Sequence, residues 1–353
     1  MNRTSAYPKH LDLEKARWIL NEIEELQTKN GTVNPHLTDV RNLSFWPADI
    51  RFTKTGSPLS WRIVRATKDD EIEEVVFKVH GVVKSKMLPP QRNPIGKSTP
   101  RYLTQSVTIA GLGQMYFKDA IDAIIQVNTR LGLRVGHENM EPCSVTKIDE
   151  DQECVVTASN RYFTAKKYAE HLDIIEFPDS IDPKGHLKRA ASGQYVYTPE
   201  NVVQYERRTV YAESDERYEP VEPQEIVVGA IVELQITFMA VETNATTGRF
   251  RTTAVLRAVT ILDDSTARDA ILREQHAIIA NASLVRPTAP TVPLLLKRRN
   301  GNVPGLYKKI QSEGQYAVES EEKGCSSRVE MMVEQGRRDD DVVEGVEKKQ
   351  KKD

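Results

Sequence analysis

Residues 229-GAIVELQITFMAVETNATTGRFRTTAVLRAVTILDD-264 establish the fold class, because they read as one long β-hairpin. Apolar and polar residues alternate along the first strand, which predicts one face in a core and one facing water or a ligand. The polar turn ends at Gly248, a residue that tolerates positive φ. The return strand carries Arg249, Arg251 and Arg257 on one side and mostly apolar residues on the other. The hairpin therefore predicts a β-rich core with an arginine-bearing face.

Further strands and helices flank this hairpin. Segments rich in Val, Ile, Thr and aromatic residues, separated by Gly, Pro and Asn, predict strands. These segments are 61–66, 72–87, 102–117, 144–148, 153–159, 195–197 and 202–212. Apolar residues at helical spacing predict helices at 11–28, 118–131, 162–172 and 266–281. The predicted fold class is α+β, with a barrel or strongly bent antiparallel sheet and helices on its outside.

The composition predicts three regions: an N-terminal helical segment at 1–45, a core domain at 46–286 and a disordered tail at 287–353. The tail is charged and poor in aromatic residues, so it cannot bury enough apolar area to offset chain entropy. The first residues lack the apolar core of a signal peptide, and no apolar run approaches transmembrane length, so we expect no membrane association. Basic clusters at 297–299 and 348–352 favour a nuclear over a cytoplasmic location for this intracellular protein.

The charge of the chain is close to balanced but unevenly distributed. A net charge of -2 and an isoelectric point of about 6.4 exclude the overall basic excess that is usual for nucleic-acid binders. Nevertheless, no Asp or Glu occurs from Val75 to Lys118, although the 353 residues include 51 acidic ones. Basic and aromatic residues alternate within this acid-free segment. The sequence therefore predicts a local basic patch on a protein that is acidic elsewhere.

The hairpin also carries a resemblance to a known family. A glycine, a strand, a polar loop and a second strand ending in Leu-Arg-Ala-Val-Thr-Ile-Leu at 256–262 resemble the last hairpin of OB-fold single-stranded-DNA-binding proteins. The resemblance implies an OB-like barrel and binding of single-stranded DNA. The whole chain also resembles a lineage-restricted family of predicted proteins from mushroom-forming fungi, which implies no particular activity.

These observations lead to a functional hypothesis. We expect the arginine face and the acid-free segment to form one cationic surface that binds single-stranded DNA or RNA without sequence preference. On such a surface, phosphates pair with Lys and Arg, and bases stack on aromatic rings. Strands near 74–86 and 102–117 would then lie alongside 249–257. The expected contact residues are Lys78, Lys84, Lys86, Arg92, Lys97, Arg101, Tyr102, Arg249, Arg251 and Arg257. Alternatively, the basic segments pair with the protein's own acidic segments, such as 212–225.

Residue spacing indicates neither catalysis nor a metal site. The seven histidines are scattered, and the three cysteines lack the spacing of metal ligands. The carboxylates of 149–153 are expected to form a solvated turn, and Gly96-Lys97-Ser98-Thr99 lacks the preceding glycine of a P-loop. We therefore expect no enzymatic activity, no cofactor and no bound metal.

Two other classes of function stay open. The protein would be an interaction or assembly module if the N-terminal helix, with Trp18 and Leu20, pairs with a partner protein or a second copy. It would be an enzyme if residues that are distant in the sequence assemble into a site.

Overall fold

The computed structural model describes residues 7–27, 35–41, 50–55, 59–66, 71–96, 100–191, 193–212, 215–244 and 247–284. The chain divides into two units, Met1–Arg286 and Pro287–Asp353, and every described residue belongs to the first. The predicted tail at 287–353, its basic clusters and Lys97 lie outside the described residues.

Strands make up most of the regular structure. They are β1 (Ile50–Thr55), β2 (Ser60–Ala66), β3 (Ile72–Glu74), β4 (Phe77–Met87), β5 (Thr104–Ala110), β6 (Thr146–Ile148), β7 (Cys154–Arg161), β8 (Thr164–Ala165), β9 (Tyr195–Val196), β10 (Gln204–Ala212), β11 (Asp215–Pro220), β12 (Ile231–Asn244) and β13 (Arg249–Asp263). The helices are α1 (Leu13–Gln27), α2 (Met115–Val135), α3 (His186–Ala191) and α4 (Ser265–Leu284). Within the described part of the chain, no helix combines the length and apolar character needed to cross a membrane.

Five of these strands close into a barrel in the order β12, β4, β5, β7, β13 and back to β12. Neighbouring strands are antiparallel, except that β7 and β13 pair in parallel. Counted along the chain, the barrel strands follow the order 1-2-3-5-4-1, which is the topology of an OB fold. The predicted OB-like, β-rich α+β fold is therefore confirmed. Strands β1, β2 and β3 extend this sheet beyond β12, strands β10 and β11 extend it beyond β13, and β6 pairs with β7.

The hairpin of β12 and β13 is confirmed, but its alternation is broken by a bulge. The partners of Gln235 and Ile236 are Ala258 and Leu256, so Arg257 is an extra residue on β13. A β-bulge reverses which residues face inward. The core-facing residues of the hairpin are accordingly Val232, Leu234, Ile236, Phe238, Ala240, Phe250, Ala254, Leu256, Val259 and Ile261. The bulge thus brings into the core two residues, Val259 and Ile261, that simple alternation places on the arginine side.

The expectation that the second face of β12 meets water or a ligand is wrong for much of the strand. Glu233 is 1% exposed and Thr237 is fully buried. This face is covered because other elements pack on the outside of the barrel, including α1. The helix buries Ala16 and Leu20 in a cluster with Val82 of β4. Leu20 therefore packs within the protein itself, whereas Trp18 is exposed.

One predicted helix is wrong. Residues 162–172 contain β8 and a short 3-10 turn at Lys166–Tyr168 instead of an α-helix. Phe163 packs against the rings of Phe177 and Tyr195, and β8 pairs with β9. These tertiary contacts override the local helical pattern, as packing commonly does. Conversely, β1 and β11 occur where no strand was predicted.

Helix α2 lies between the second and third barrel strands and packs its apolar face onto the core. Phe117, Ile124 and Leu131 are among its buried residues. The connection into this helix passes through Gly111, where a Cβ atom would overlap the side chain of Phe117. Gly111 therefore has a packing role.

Candidate nucleic-acid interface

A cleft of about 790 Å³ lies on β4, β5 and β7 and the β6–β7 hairpin. Ladders of small hydroxyl side chains line it, because Ser106 pairs across the sheet with Ser159, and Thr108 pairs with Thr157. The Oγ1 atoms of Thr108 and Thr157 are 3.0 Å apart and share a hydrogen bond. Thr104 extends the lining toward the start of β5. The barrel therefore presents a polar, concave surface of hydrogen-bonding groups.

The alternation of β5 explains this lining. Val107 and Ile109 are fully buried in the core, so Thr104, Ser106 and Thr108 lie on the opposite, outer face. The period-two pattern of hydroxyl residues is visible in the sequence at 104–108. Because the pattern contains no charged or aromatic residue, it did not stand out as a candidate nucleic-acid contact.

The sides of the cleft combine lysines with exposed apolar side chains. Met87 of β4 is 54% exposed and Ile148 of β6 is 64% exposed. Lys86 and Lys147 are their neighbours in the sequence and also line the cleft. Nζ of Lys86 donates to the carbonyl of Gln224 at 3.4 Å. Burial, together with the nearby positive charge of Arg92, lowers the pKa of Lys86.

The loop between β4 and β5 enters the cleft region next to Thr104. The guanidinium of Arg101 lies over the ring of Tyr102, 4.2 Å from its centroid, and Tyr102 is 64% exposed. Arg161 is exposed and is the cross-strand partner of Thr104. Two arginines and an exposed tyrosine thus lie close in the fold to this end of the lining. Sequence reasoning identified Arg101 and Tyr102 but not Arg161.

Lys84 is held by the protein's own carboxylates. It is the bulge residue between Val83 and Ser85, and its side chain is 2% exposed. Its Nζ contacts a carboxylate oxygen of Asp149 and lies 2.7 Å from Asp151 and 2.8 Å from Glu153. Burial opposes the charged form, but the bonds to these carboxylates raise the pKa of Lys84 above its usual value.

The hairpin tip at 149–153 is therefore more than the solvated turn that its sequence predicted. It neutralises Lys84 and places acidic groups along one part of the cleft, because Asp149, Glu150 and Asp151 are lining residues. Phosphates would be repelled here, so a bound anionic chain would approach along the other parts of the cleft.

Two further predicted contact residues also bind carboxylates. Nζ of Lys78, a side chain 11% exposed, is 3.1 Å from Glu233. The Arg257 guanidinium donates to both carboxylate oxygens of Glu74, at 2.8 and 2.9 Å. It also donates to the carbonyl of Glu200 at 2.7 Å. Pairing with the protein's own acidic residues thus applies to Lys78, Lys84 and Arg257, with partners outside 212–225.

The expected adjacency between the acid-free strands and 249–257 is wrong. Strand β13 pairs with β7, β10 and β12, because closure of the barrel places β12 between β13 and β4. Arg249 and Arg251 are exposed near the turn of the hairpin. Among the described residues, those of the hairpin contribute nothing to the lining of the cleft. Arg92 is exposed in the β4–β5 loop.

Comparisons with known proteins place this geometry beside two phage proteins. No protein-family model matches the sequence, and the search of curated proteins gives no match. Among solved structures, the chain is similar to gp2.5, a single-stranded DNA binding protein encoded by bacteriophage T7, with 10% identity and a TM-score of 0.30. That match covers 53% of this chain and 86% of the phage chain.

The second is the single-stranded DNA-binding protein from bacteriophage Enc34, in complex with single-stranded DNA. It shares 14% identity and a TM-score of 0.29 with this chain, over 62% of this chain and 97% of the phage chain.

Proposed function

We propose that this protein is a non-enzymatic binder of single-stranded nucleic acid, without sequence preference, and that the strand occupies the hydroxyl-lined cleft. The observation that carries the proposal is the position of the cleft on the barrel. The cleft lies on β4, β5 and β7, which are barrel strands 1 to 3, next to the β4–β5 loop that joins strands 1 and 2. OB folds bind oligonucleotides on the face of strands 2 and 3 and with two loops, this one and the loop that joins strands 4 and 5. The site therefore differs from the arginine face of the hairpin that the sequence suggested.

The side chains around the cleft provide three kinds of contact. Lys86, Lys147, Arg101 and Arg161 would pair with phosphates, which supply most of the sequence-independent affinity for nucleic acid. The serine and threonine hydroxyls would bond to phosphates, sugars or base edges. Tyr102 would stack on a base.

This set of groups favours single strands and little sequence preference. A hydroxyl both donates and accepts a hydrogen bond, so it discriminates weakly among bases. The exposed apolar surfaces of Met87 and Ile148 can cover the faces of bases that are not stacked within a duplex. Single strands expose such base faces, which aromatic and apolar side chains can cover.

The test is fluorescence anisotropy with a labelled oligothymidylate of about 16 residues, the upper site size of one OB fold. The double variant Thr157→Glu and Ser159→Glu introduces two negative charges into the lining of the cleft, and we expect its affinity to fall at least about 100-fold. The matched control is Thr129→Glu, an exposed position on α2, which should bind like the wild type. Unchanged binding by the folded double variant would refute this location of the site.

A second pair of variants tests stacking. Tyr102→Ala should weaken binding by about 1–3 kcal/mol, the usual contribution of one base stacked on an aromatic ring. The control is Tyr168→Ala, since Tyr168 also carries a neighbouring cation, Lys167, 4.7 Å from its ring centroid, but belongs to the 3-10 turn at Lys166–Tyr168 and not to the loop between β4 and β5. If Arg249→Glu and Arg251→Glu abolish binding while the cleft variants do not, the hairpin face is the binding site and the proposal fails.

A further inference from the structure

A cluster of ionisable side chains is buried beneath helix α1, where sequence spacing showed no site. Glu24 comes from α1, His36 precedes a 3-10 turn at Leu37–Arg41, and His80 comes from barrel strand β4. Their residues are 7%, 9% and 0% exposed. Three segments that are distant in the sequence thus bring polar side chains to one buried point.

The three side chains direct one atom each toward this point. Oε1 of Glu24, Nε2 of His36 and Nδ1 of His80 all lie within 4.8 Å of one another. The Glu24 oxygen is 2.8 Å from the His80 nitrogen and 3.7 Å from the His36 nitrogen. Among the described residues, none of these three atoms makes a hydrogen bond of regular geometry, and the Glu24 and His80 atoms meet only as an ion pair. Buried polar atoms are rarely left without a hydrogen bond, so this convergence requires an explanation.

The other ring nitrogens of both histidines are held in place. Nε2 of His80 lies 3.1 Å from Oε2 of Glu233, and Nδ1 of His36 lies 2.9 Å from Oγ1 of Thr38. This is the usual arrangement around a metal ion, where a carboxylate or another polar group orients the ligand histidine through its second nitrogen. Glu233 is itself held by Lys78 at 3.1 Å.

We propose that Glu24, His36 and His80 are the ligands of a first-row divalent transition metal ion, with zinc as the ion to test first. Zinc binds imidazole and carboxylate ligands at about 2.0–2.2 Å, and tetrahedral angles then separate the ligand atoms by about 3.3–3.5 Å. The observed 2.8 and 3.7 Å separations bracket this range. Two imidazole ligands also favour a transition metal over magnesium or calcium, which prefer oxygen ligands.

The charges of the cluster favour a cation as well. Glu24 and Glu233 contribute two carboxylates against the single ammonium of Lys78, so the site has an excess of negative charge when the imidazoles are neutral. Because the ligands come from α1, the segment before the 3-10 turn and β4, the ion would cross-link the N-terminal segment to the barrel. All three ligands are buried, and they would leave the fourth position of a tetrahedral zinc ion for a water molecule.

The test begins with the purified full-length chain, stripped of metal by a chelator and titrated with zinc. We expect one zinc ion per chain by plasma mass spectrometry and a melting temperature that rises with zinc concentration. Glu24→Gln and His36→Gln should each lower zinc affinity at least about 100-fold, and Thr38→Val about 10-fold. The matched control is His276→Gln, an exposed histidine on α4 that should leave binding unchanged.

X-ray absorption of the zinc-loaded wild type covers the case in which a ligand variant does not fold. It should show nitrogen and oxygen ligands near 2.0–2.1 Å and no sulfur. A folded wild type that binds no zinc or cobalt at micromolar concentrations would overturn the proposal and leave a hydrogen-bonded charge cluster. Sulfur ligands in the absorption spectrum, or undiminished binding by the folded Glu24→Gln and His36→Gln variants, would overturn it too.

Discussion

The cations around the cleft determine how steeply nucleic-acid affinity should fall with salt. On a single strand, each phosphate contact contributes about -0.7 to the slope of log Kobs against log salt concentration. Two lysines that line the cleft, Lys86 and Lys147, are counted together with Arg101 and Arg161, which lie close to Thr104 in the fold; Lys84 also lines the cleft but is bound to carboxylates. The expected slope is therefore about -2.8, which corresponds to an affinity loss of about 50-fold between roughly 50 and 200 mM salt.

The wider cationic surface that the sequence predicted would give a much steeper dependence of affinity on salt concentration. It contained nine lysines and arginines, and nine phosphate contacts would produce a slope of about -6.3 and a loss of about 6,000-fold over the same range. The structure removes Lys78, Lys84 and Arg257 from that set because each is bound to carboxylates. The measured slope therefore distinguishes the cleft from the wider cationic surface.

The perturbation is Lys147→Gln, which removes one positive charge from the side of the cleft. Its slope should be shallower than that of the wild type by about 0.7, the contribution of one phosphate contact. Arg251→Gln changes the net charge equally at an exposed position outside the cleft, and its slope should match the wild type. The assay is anisotropy titration of oligothymidylate at several salt concentrations. A wild-type slope steeper than about -5, or a change with Arg251→Gln and none with Lys147→Gln, would refute the reasoning.

Three further predictions concern stability. Lys84→Met should lower the free energy of unfolding by about 2 kcal/mol, because it leaves the carboxylates of 149–153 without their cation. Burial raises the pKa of Asp149, but bonding to Lys84 outweighs burial and lowers it. The stabilisation therefore exists at neutral pH and is lost as the pH falls through the folded-state pKa of Asp149. Urea unfolding should accordingly show a smaller difference between wild type and variant at about pH 3 than at pH 7. Arg257→Gln should lower the free energy of unfolding by about 2–3 kcal/mol without changing nucleic-acid affinity, and an intact melting temperature would contradict the ion pair with Glu74. Gly111→Ala should lower it by about 1–3 kcal/mol because the new methyl group overlaps Phe117, and an unchanged urea midpoint would show that the helix shifts freely.

The sequence by itself determined the elements whose signal is local. Period-two alternation predicted the hairpin of β12 and β13. Helical spacing predicted α1 with Ala16, Ile19, Leu20, Ile23 and Leu26 on one apolar face, and of these only Leu26 is exposed. Such patterns suffice because the period of a strand or helix repeats within a few residues. The long hairpin and the short strands before it predicted a barrel or strongly bent sheet, and the resemblance of the hairpin to OB-fold proteins implied the OB-like barrel that the structure confirms.

Only the tertiary structure decided which basic side chains are paired with carboxylates of the protein. Lys84 meets carboxylates at 149–153, and Arg257 meets Glu74, far away in the sequence in both cases. Two bulges, at Lys84 and Arg257, redirect these side chains, and a bulge depends on the register of the partner strand. Closure of the barrel likewise kept β13 from pairing with β4.

The hydroxyl-lined cleft and the buried Glu24, His36 and His80 cluster depend on the same long-range pairing. Each ladder pair of the cleft joins β5 to β7, and the three polar atoms of the cluster come from separate segments. Local patterns report how a segment folds because they reflect contacts between residues that are close along the chain. Contacts between ions, hydroxyls and imidazoles form only when distant segments pack together. Packing removes these groups from water and brings them within bonding distance.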